Sequence, residues 1–221
     1  MLETNIKTLP LENGDRLTRP EFERRYAIMS DVKKAELIEG VVYMSSPVRI
    51  THGTPHAHIM GWLFLYSIAT PGVTLADNTT VRLDADNEVQ PDALLRIETG
   101  GNSIISTDGY IEGAPEFIAE VASSSASYDL GEKLKVYRRN QVQEYLVWQV
   151  YEQKIDWFRW RGGKYINLPI DAEGMIKSEI FPGLWLSVSG LISGNLLEVQ
   201  SGLQKGLKTS EHQEFLAQLN K

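Results

Sequence analysis

The chain of 221 residues contains no cysteine, so disulfides and thiolate zinc sites are excluded, and a reducing, cytoplasmic setting is the expectation. It has no long apolar run either. The longest apolar-looking stretch, Ile59 to Ala69, is too short to span a bilayer, and the first residues lack the charged start and apolar run of a signal peptide, so no membrane partner is expected. Positive charge is scarce, with a formal net charge of −7, which argues against non-specific nucleic-acid binding over a broad basic surface. Gly-rich phosphate loops and the Gly-x-Ser-x-Gly elbow of serine hydrolases are missing. What is present is 42% hydrophobic and 23% charged residues, enough for one globular domain with a real core.

Residues 1 to 15 read as a loose lead-in. Thr18-Arg19-Pro20-Glu21 has the form of a capping box and predicts a helix to about Met29. Glu36 to Met44 predicts two strands turning at Gly40, and Pro55 to Ala69 a buried helix with Pro71-Gly72 as its stop. Val73 to Leu83 and Val89 to Ile97 read as strands, and Glu98 to Gly113 as a surface loop. Glu116 to Ala122 predicts a strand, Ser127 to Asn140 a helix and Glu144 to Val150 a strand. Lys154 to Trp160, Lys164 to Leu168 and Leu184 to Val188 are further strands, the first two turning at Gly162-Gly163. A polar extension from 191 onward closes on an amphipathic helix, Glu211 to Lys221. The sum is an α/β mixture (α+β) with one sheet flanked by helices.

Glu120 is the odd residue. It interrupts the apolar run Phe117-Ile118-Ala119-Glu120-Val121, and an ionised carboxylate inside such a strand is costly unless paired or bound to a cation. Asp92, in Gln90-Pro91-Asp92, lies 28 residues earlier. If their strands pair, two carboxylates and a backbone carbonyl suit Mg²⁺ or Mn²⁺, which favour hard oxygen ligands. Lys133 would then orient or activate a water, or stabilise charge on a phosphate.

Plainer readings stand beside these. Asp92 suits a turn, and Asp129 with Lys133 has the i, i+4 spacing of a surface salt bridge, the better reading of that pair taken alone. Lys133, Lys135, Arg138 and Arg139 form a local basic stripe. His52, His56 and His58 invite a zinc reading, but Gly53 stands where a zinc protease has Glu, and Pro55 argues against helix at His52. Helix-entry hydrogen bonding, or one histidine near the carboxylates, is the preferred alternative. Ser123-Ser124-Ser125 reads as a helix approach, and Trp148, Trp157 and Trp160 as sheet packing.

The ordered set Glu36-Leu37-Ile38-Glu39-Gly40, Met44 to Pro47, His56, Pro91-Asp92, Glu120-Val121-x-Ser123-x-Ser125, Asp129, Lys133, Tyr137 and Glu144-Tyr145 resembles a large family of restriction-endonuclease-like proteins. That family is expanded in cyanobacteria and belongs to the PD-(D/E)XK nuclease superfamily. The resemblance spans roughly residues 15 to 190, so 16–190 is expected to be the domain and 191–221 a helical extension. It implies a restriction-endonuclease-like fold: a central mixed sheet flanked by helices, with extra antiparallel strands. It further implies Mg²⁺ or Mn²⁺ held by Asp92, Glu120 and the Val121 carbonyl, with Glu36 an accessory catalytic acid and His56, Asp129 and Tyr137 nearby. Ala122 stands where the superfamily's lysine follows the second acid; the resemblance moves that role to Lys133 on the next helix. The implied activity is DNA phosphodiester hydrolysis by a homodimer. The alternative is a nuclease-fold protein that binds nucleic acid or a protein without cutting.

Overall fold

The computed structural model describes residues 9–45, 47–123 and 125–219. Residues 1 to 8 of the lead-in, Ser46, Ser124, Asn220 and Lys221 lie outside the described residues.

Helix α1 (Arg19–Tyr26) starts with Pro20 in its first turn, but Thr18 makes no side-chain cap bond. The capping box does not form because Glu21 turns outward to bind Arg24 and Arg25. Strands β1 (Ala35–Ile38) and β2 (Val41–Met44) join through Glu39 (φ 53°) and Gly40 (φ 70°), the left-handed pair a tight hairpin demands. Helix α2 (Ile50–Ala69) begins five residues earlier than the sequence reading and runs through Pro55. Proline has no N–H for the carbonyl of Thr51, and the Ser123 hydroxyl donates to that carbonyl at 3.4 Å instead. His52 is therefore helical after all.

The run 73–83 is two strands, β3 (Val73–Asp77) and β4 (Val81–Asp84), broken where Asn78 takes φ 46°. The run 89–97 divides likewise into β5 (Asn87–Val89) and β6 (Ala93–Ile97). Each break carries the chain from one sheet to another. The expected loop 98–113 holds two short strands, β7 (Ile104–Ile105) and β8 (Ile111–Glu112). Then come β9 (Phe117–Ala122), α3 (Ala126–Tyr128), a π-helical segment (Asp129–Lys133), α4 (Leu134–Arg139) and β10 (Glu144–Gln149). Strands β11 (Lys154–Arg161) and β12 (Lys164–Asn167) turn at Gly162-Gly163. A hairpin of β13 (Met175–Lys177) and β14 (Trp185–Ser187) leads into α5 (Val188–Ser193), α6 (Leu196–Gly206) and α7 (Ser210–Leu219). Neither β13 nor α6 is marked by the sequence pattern.

Among the described residues the strands form two six-stranded sheets, not one, plus the hairpin. The first sheet has the order β2-β1-β5-β4-β8-β7 and the second β12-β11-β10-β9-β6-β3. The second is the mixed central sheet, with β9 and β10 parallel at its heart and β6 antiparallel to β9. On one face α2 packs with Leu191, Val199, Leu203 and Phe215 of the last helices, around Trp62, Phe117 and Trp157. On the other, Ile118 and Ala122 of β9 meet Val136 and Tyr137 of α4 and Val81 and Val89 of the first sheet. The site sits on this second face, where the two sheets approach. No helix among the described residues is long and apolar enough to cross a membrane.

Candidate active site

Pairing between β6 and β9 stops at Ala93 opposite Ala119. Beyond it β9 continues without a strand on that side, because Pro91 has no N–H to give a ladder. The Asp92 carboxylate takes over: its Oδ2 accepts the Val121 N–H at 2.8 Å. In an extended strand a residue's N–H and C=O point the same way, so the Val121 carbonyl is also directed to the Asp92 side. Alternation sends Glu120 to the face of Ile118 and Ala122, toward α4.

Lys133 comes from the π segment. The wider winding turns both Asp129 and Lys133 inward, each 3% exposed. The surface salt bridge suggested by their spacing is thus a buried contact, with Nζ 3.9 Å from Asp129 Oδ1. Lys133 Nζ donates to Glu120 Oε1 at 2.9 Å and lies 3.1 Å from Glu36 Oε1. The Tyr137 hydroxyl, one helical turn on, donates to the same Glu120 oxygen at 2.9 Å. Glu36, on β1, also accepts the Gln90 N–H at 2.8 Å, tying the first sheet to the segment that carries Asp92. Glu120, Lys133, Glu36, Asp129 and Tyr137 are therefore one buried network, tied to Asp92 through the backbone of Gln90 and Val121.

His56 lies at the edge of this network, its Nε2 3.0 Å from the Asp92 backbone oxygen and 3.1 Å from Asp77 Oδ1. The site also includes Lys34 and Tyr128, which the sequence does not mark, and His52, which the histidine cluster does. Lys34 Nζ is 3.4 Å from Asp92 Oδ1 and donates to Asn78 Oδ1 at 3.1 Å. His52 Nε2 is 3.7 Å from Asp92 Oδ2, and the His52–His56 spacing was the signal that both share a helix face. Tyr128 packs on Tyr43 as a tilted pair with ring centroids 4.6 Å apart, its ring faces Lys133, and among the described residues its buried hydroxyl has no hydrogen-bond partner. No local pattern points to Lys34 or Tyr128. His58 faces elsewhere, stacked on Trp148.

Electrostatics separate these acids. Burial pushes the Glu120 carboxyl up to about 8; Lys133 opposes that shift, while Asp92, Asp129 and Glu36 add to it. Asp129 is raised by burial too, against Lys133 and a Ser125 hydrogen bond. Burial also works on Asp92, but Lys34, His52 and the Val121 N–H outweigh it and hold that carboxyl below its ordinary value. Lys133 would be lowered by burial, yet Glu120, Glu36 and Asp129 hold it well above the ordinary ammonium range, as a cation.

Four carboxyl groups thus face two ammonium groups. Protons or a further cation must balance the remainder, since buried charge without a partner is costly. Among the described residues no three His, Asp or Glu side chains form a metal cage by themselves. The hard oxygen donors this network could offer a cation are the Asp92 and Glu120 carboxylates and the Val121 carbonyl.

Comparison with known proteins bears on the family and the fold. Residues 19–189 match the family model described as "Uma2: Putative restriction endonuclease". No curated protein matches. Among solved structures the chain is similar to "a putative nuclease belonging to DUF820" from Anabaena variabilis, with a TM-score of 0.63 and 16% identity over 80% of this chain and 98% of that one. At that identity the likeness speaks for the fold.

Proposed function

The chain belongs to the Uma2 family of restriction-endonuclease-like proteins, and from that premise we propose that it is a metal-dependent endonuclease hydrolysing DNA phosphodiester bonds. Mg²⁺ or Mn²⁺ would be held by Asp92, Glu120 and the Val121 carbonyl. The observation that carries the reading is the excess of buried carboxyl groups around Glu120, on the strand whose next N–H binds Asp92.

A divalent ion bound there would polarise a phosphoryl oxygen and acidify a water. The chain's own residues do the rest. Lys133 keeps its proton and presents a fixed positive charge toward the place where charge develops on the phosphate. Glu36 and Asp129 hold that ammonium from two further sides, and Tyr137 fixes the Glu120 rotamer through its hydroxyl. Lys34 and His52 keep Asp92 ionised on its other flank. A homodimer would bring two such sites to the two strands of a duplex.

One observation favours a second reading, a nuclease-fold protein that binds without cutting. Lys133 is enclosed by acids, and the basic stripe beyond it is committed: Lys135 to Glu132, Arg138 to the Gly163 carbonyl and Arg139 to Glu39. Calorimetry with Mn²⁺ and nicking of supercoiled plasmid separate the two. Asp92→Asn and Glu120→Gln should each abolish Mn²⁺ binding, and those variants and Lys133→Ala should each abolish nicking. Metal binding unchanged in both acid variants would sink the site; DNA bound but never nicked by the wild type would select the second reading.

A further inference from the structure

A second polar pocket, of about 460 Å³, opens at the far end of β6. Its floor is Arg96, only 5% exposed. The guanidinium Nε donates to the Ser103 hydroxyl at 3.2 Å and Nη2 to the Ser103 carbonyl at 2.9 Å. Neither bond uses Nη1, and among the described residues no carboxylate pairs with this cation. The acids beside it are engaged: Glu116 accepts the N–H groups of Ile97 and Asn102, and Glu98 accepts the Thr74 hydroxyl at 2.7 Å. A buried guanidinium held only by neutral oxygens lacks a counter-ion, and its planar fork suits an oxyanion.

The walls suit the same ligand. The backbone N–H groups of Gly100 and Gly101 have no protein acceptor among the described residues. A Cβ on Gly101 would lie 2.3 Å from the Ile97 carbonyl oxygen, so this loop is close-packed and preset. Successive free N–H groups in such a turn favour an anion. Glu98 faces the same pocket as an acceptor, and Ile104 and Ile105, 65% and 61% exposed, give it an apolar rim.

We propose that this pocket binds a terminal phosphorylated nucleotide: phosphate on Arg96, Ser103 and the glycine N–H groups, a sugar hydroxyl donating to Glu98, and the base against Ile104 and Ile105. A terminal phosphate monoester suits so buried a guanidinium better than a phosphodiester, because it brings three free oxygens and a larger charge. The pocket lies roughly 13 Å along β6 from Asp92, counting four residues of strand rise. Leu94, fully buried between the sheets, separates the two. A free nucleoside monophosphate and the 5′-phosphorylated end of a strand share this chemistry.

The test is calorimetry in EDTA, where nothing is cleaved and failure of the nuclease reading leaves the result intact. The probes are dAMP, deoxyadenosine and a 5′-phosphorylated dinucleotide. Wild type should bind dAMP at least about tenfold more tightly than deoxyadenosine. Arg96→Gln should lose that preference while keeping native circular dichroism. Ile105→Asp and Glu98→Ala, both at exposed positions, keep the test decisive if the arginine variant fails to fold, since each should weaken dAMP several-fold. Dinucleotide binding equal to dAMP identifies a strand end, and binding of dAMP alone a free nucleotide; both support the site. Asp92→Asn should bind dAMP as wild type does. Absence of dAMP binding, equal binding of deoxyadenosine, or loss of binding in Asp92→Asn overturns the proposal.

Discussion

Two glutamates are buried on the neighbouring parallel strands β9 and β10, and they are satisfied in opposite ways. Glu144, at the start of β10, accepts four neutral donors: the N–H groups of Glu179 and Ile180 on one oxygen, Ser178 and Trp157 on the other. Glu120, near the end of β9, has an ammonium and a phenol on one oxygen and three further acids around it. Both lie in apolar strands, and both carboxyls are raised by burial. An acid in a hydrophobic run is therefore no signature of chemistry. The neighbours decide: a cage of neutral dipoles completes Glu144, whereas the ring around Glu120 is left short of positive charge.

Removing the cation tests that contrast hardest. Lys133→Met leaves Glu120, Glu36 and Asp129 facing one another, and should cost about 3–5 kcal/mol in denaturant unfolding. Adding Glu120→Gln should recover part of that loss, because the two residues form one coupled pair. Simple additivity of the two substitutions would show that the ammonium and the carboxylate do not act together.

Glu144→Ala should cost about 3 kcal/mol, since it strands the Glu179 N–H and the Trp157 indole and removes acceptors from the Ile180 N–H and the Ser178 hydroxyl. Mn²⁺ affinity should stay at the wild-type value. A fall in metal affinity would erase the distinction between the two glutamates.

The same residue gives a pH dependence. Burial raises the Glu144 carboxyl to about 7, with Ser178, the Glu179 and Ile180 N–H groups and Arg159 restraining the shift. The folded chain thus holds a proton that the unfolded chain releases near its ordinary value. That contribution is complete below about pH 4.5 and is lost as pH rises through 7. Chemical denaturation from pH 5 to 8 should show wild-type stability falling more steeply than that of Glu144→Gln. Parallel curves would mean that Glu144 stays ionised throughout.

How much of this could be read from the chain follows from where each contact originates. Strand β9, the hairpin at Gly40 and helix α4 follow from local periodicity and turn chemistry, and so does the inward Glu120. The second sheet does not. Two runs that look like single strands, 73–83 and 89–97, cross between sheets at Asn78 and at Gln90 to Asp92, and only tertiary pairing breaks them. Those crossings bring Asn78 and Lys34 beside Asp92. The inward turn of Asp129 rests on π winding, which an i, i+4 count cannot contain. Helix α6 hides in polar sequence because its buried stripe is narrow, Val199, Leu203 and the glycines Gly202 and Gly206.

Tyr128 gives the smallest expected effect and the finest distinction. Its ring faces Lys133 and among the described residues its buried hydroxyl has no hydrogen-bond partner, whereas both oxygens of Glu144 are paired. A buried hydroxyl left unpaired opposes folding, so Tyr128→Phe should gain about 1 kcal/mol while the ring keeps its tilted packing on Tyr43. In the proposed reaction, that hydroxyl would find a partner when a water or a phosphate oxygen lies beside Lys133. Plasmid nicking should therefore fall several-fold in the more stable variant, with Mn²⁺ binding unchanged. Gain of stability with undiminished nicking would assign the hydroxyl no part in the reaction, and loss of stability would mean that it is paired in the folded chain.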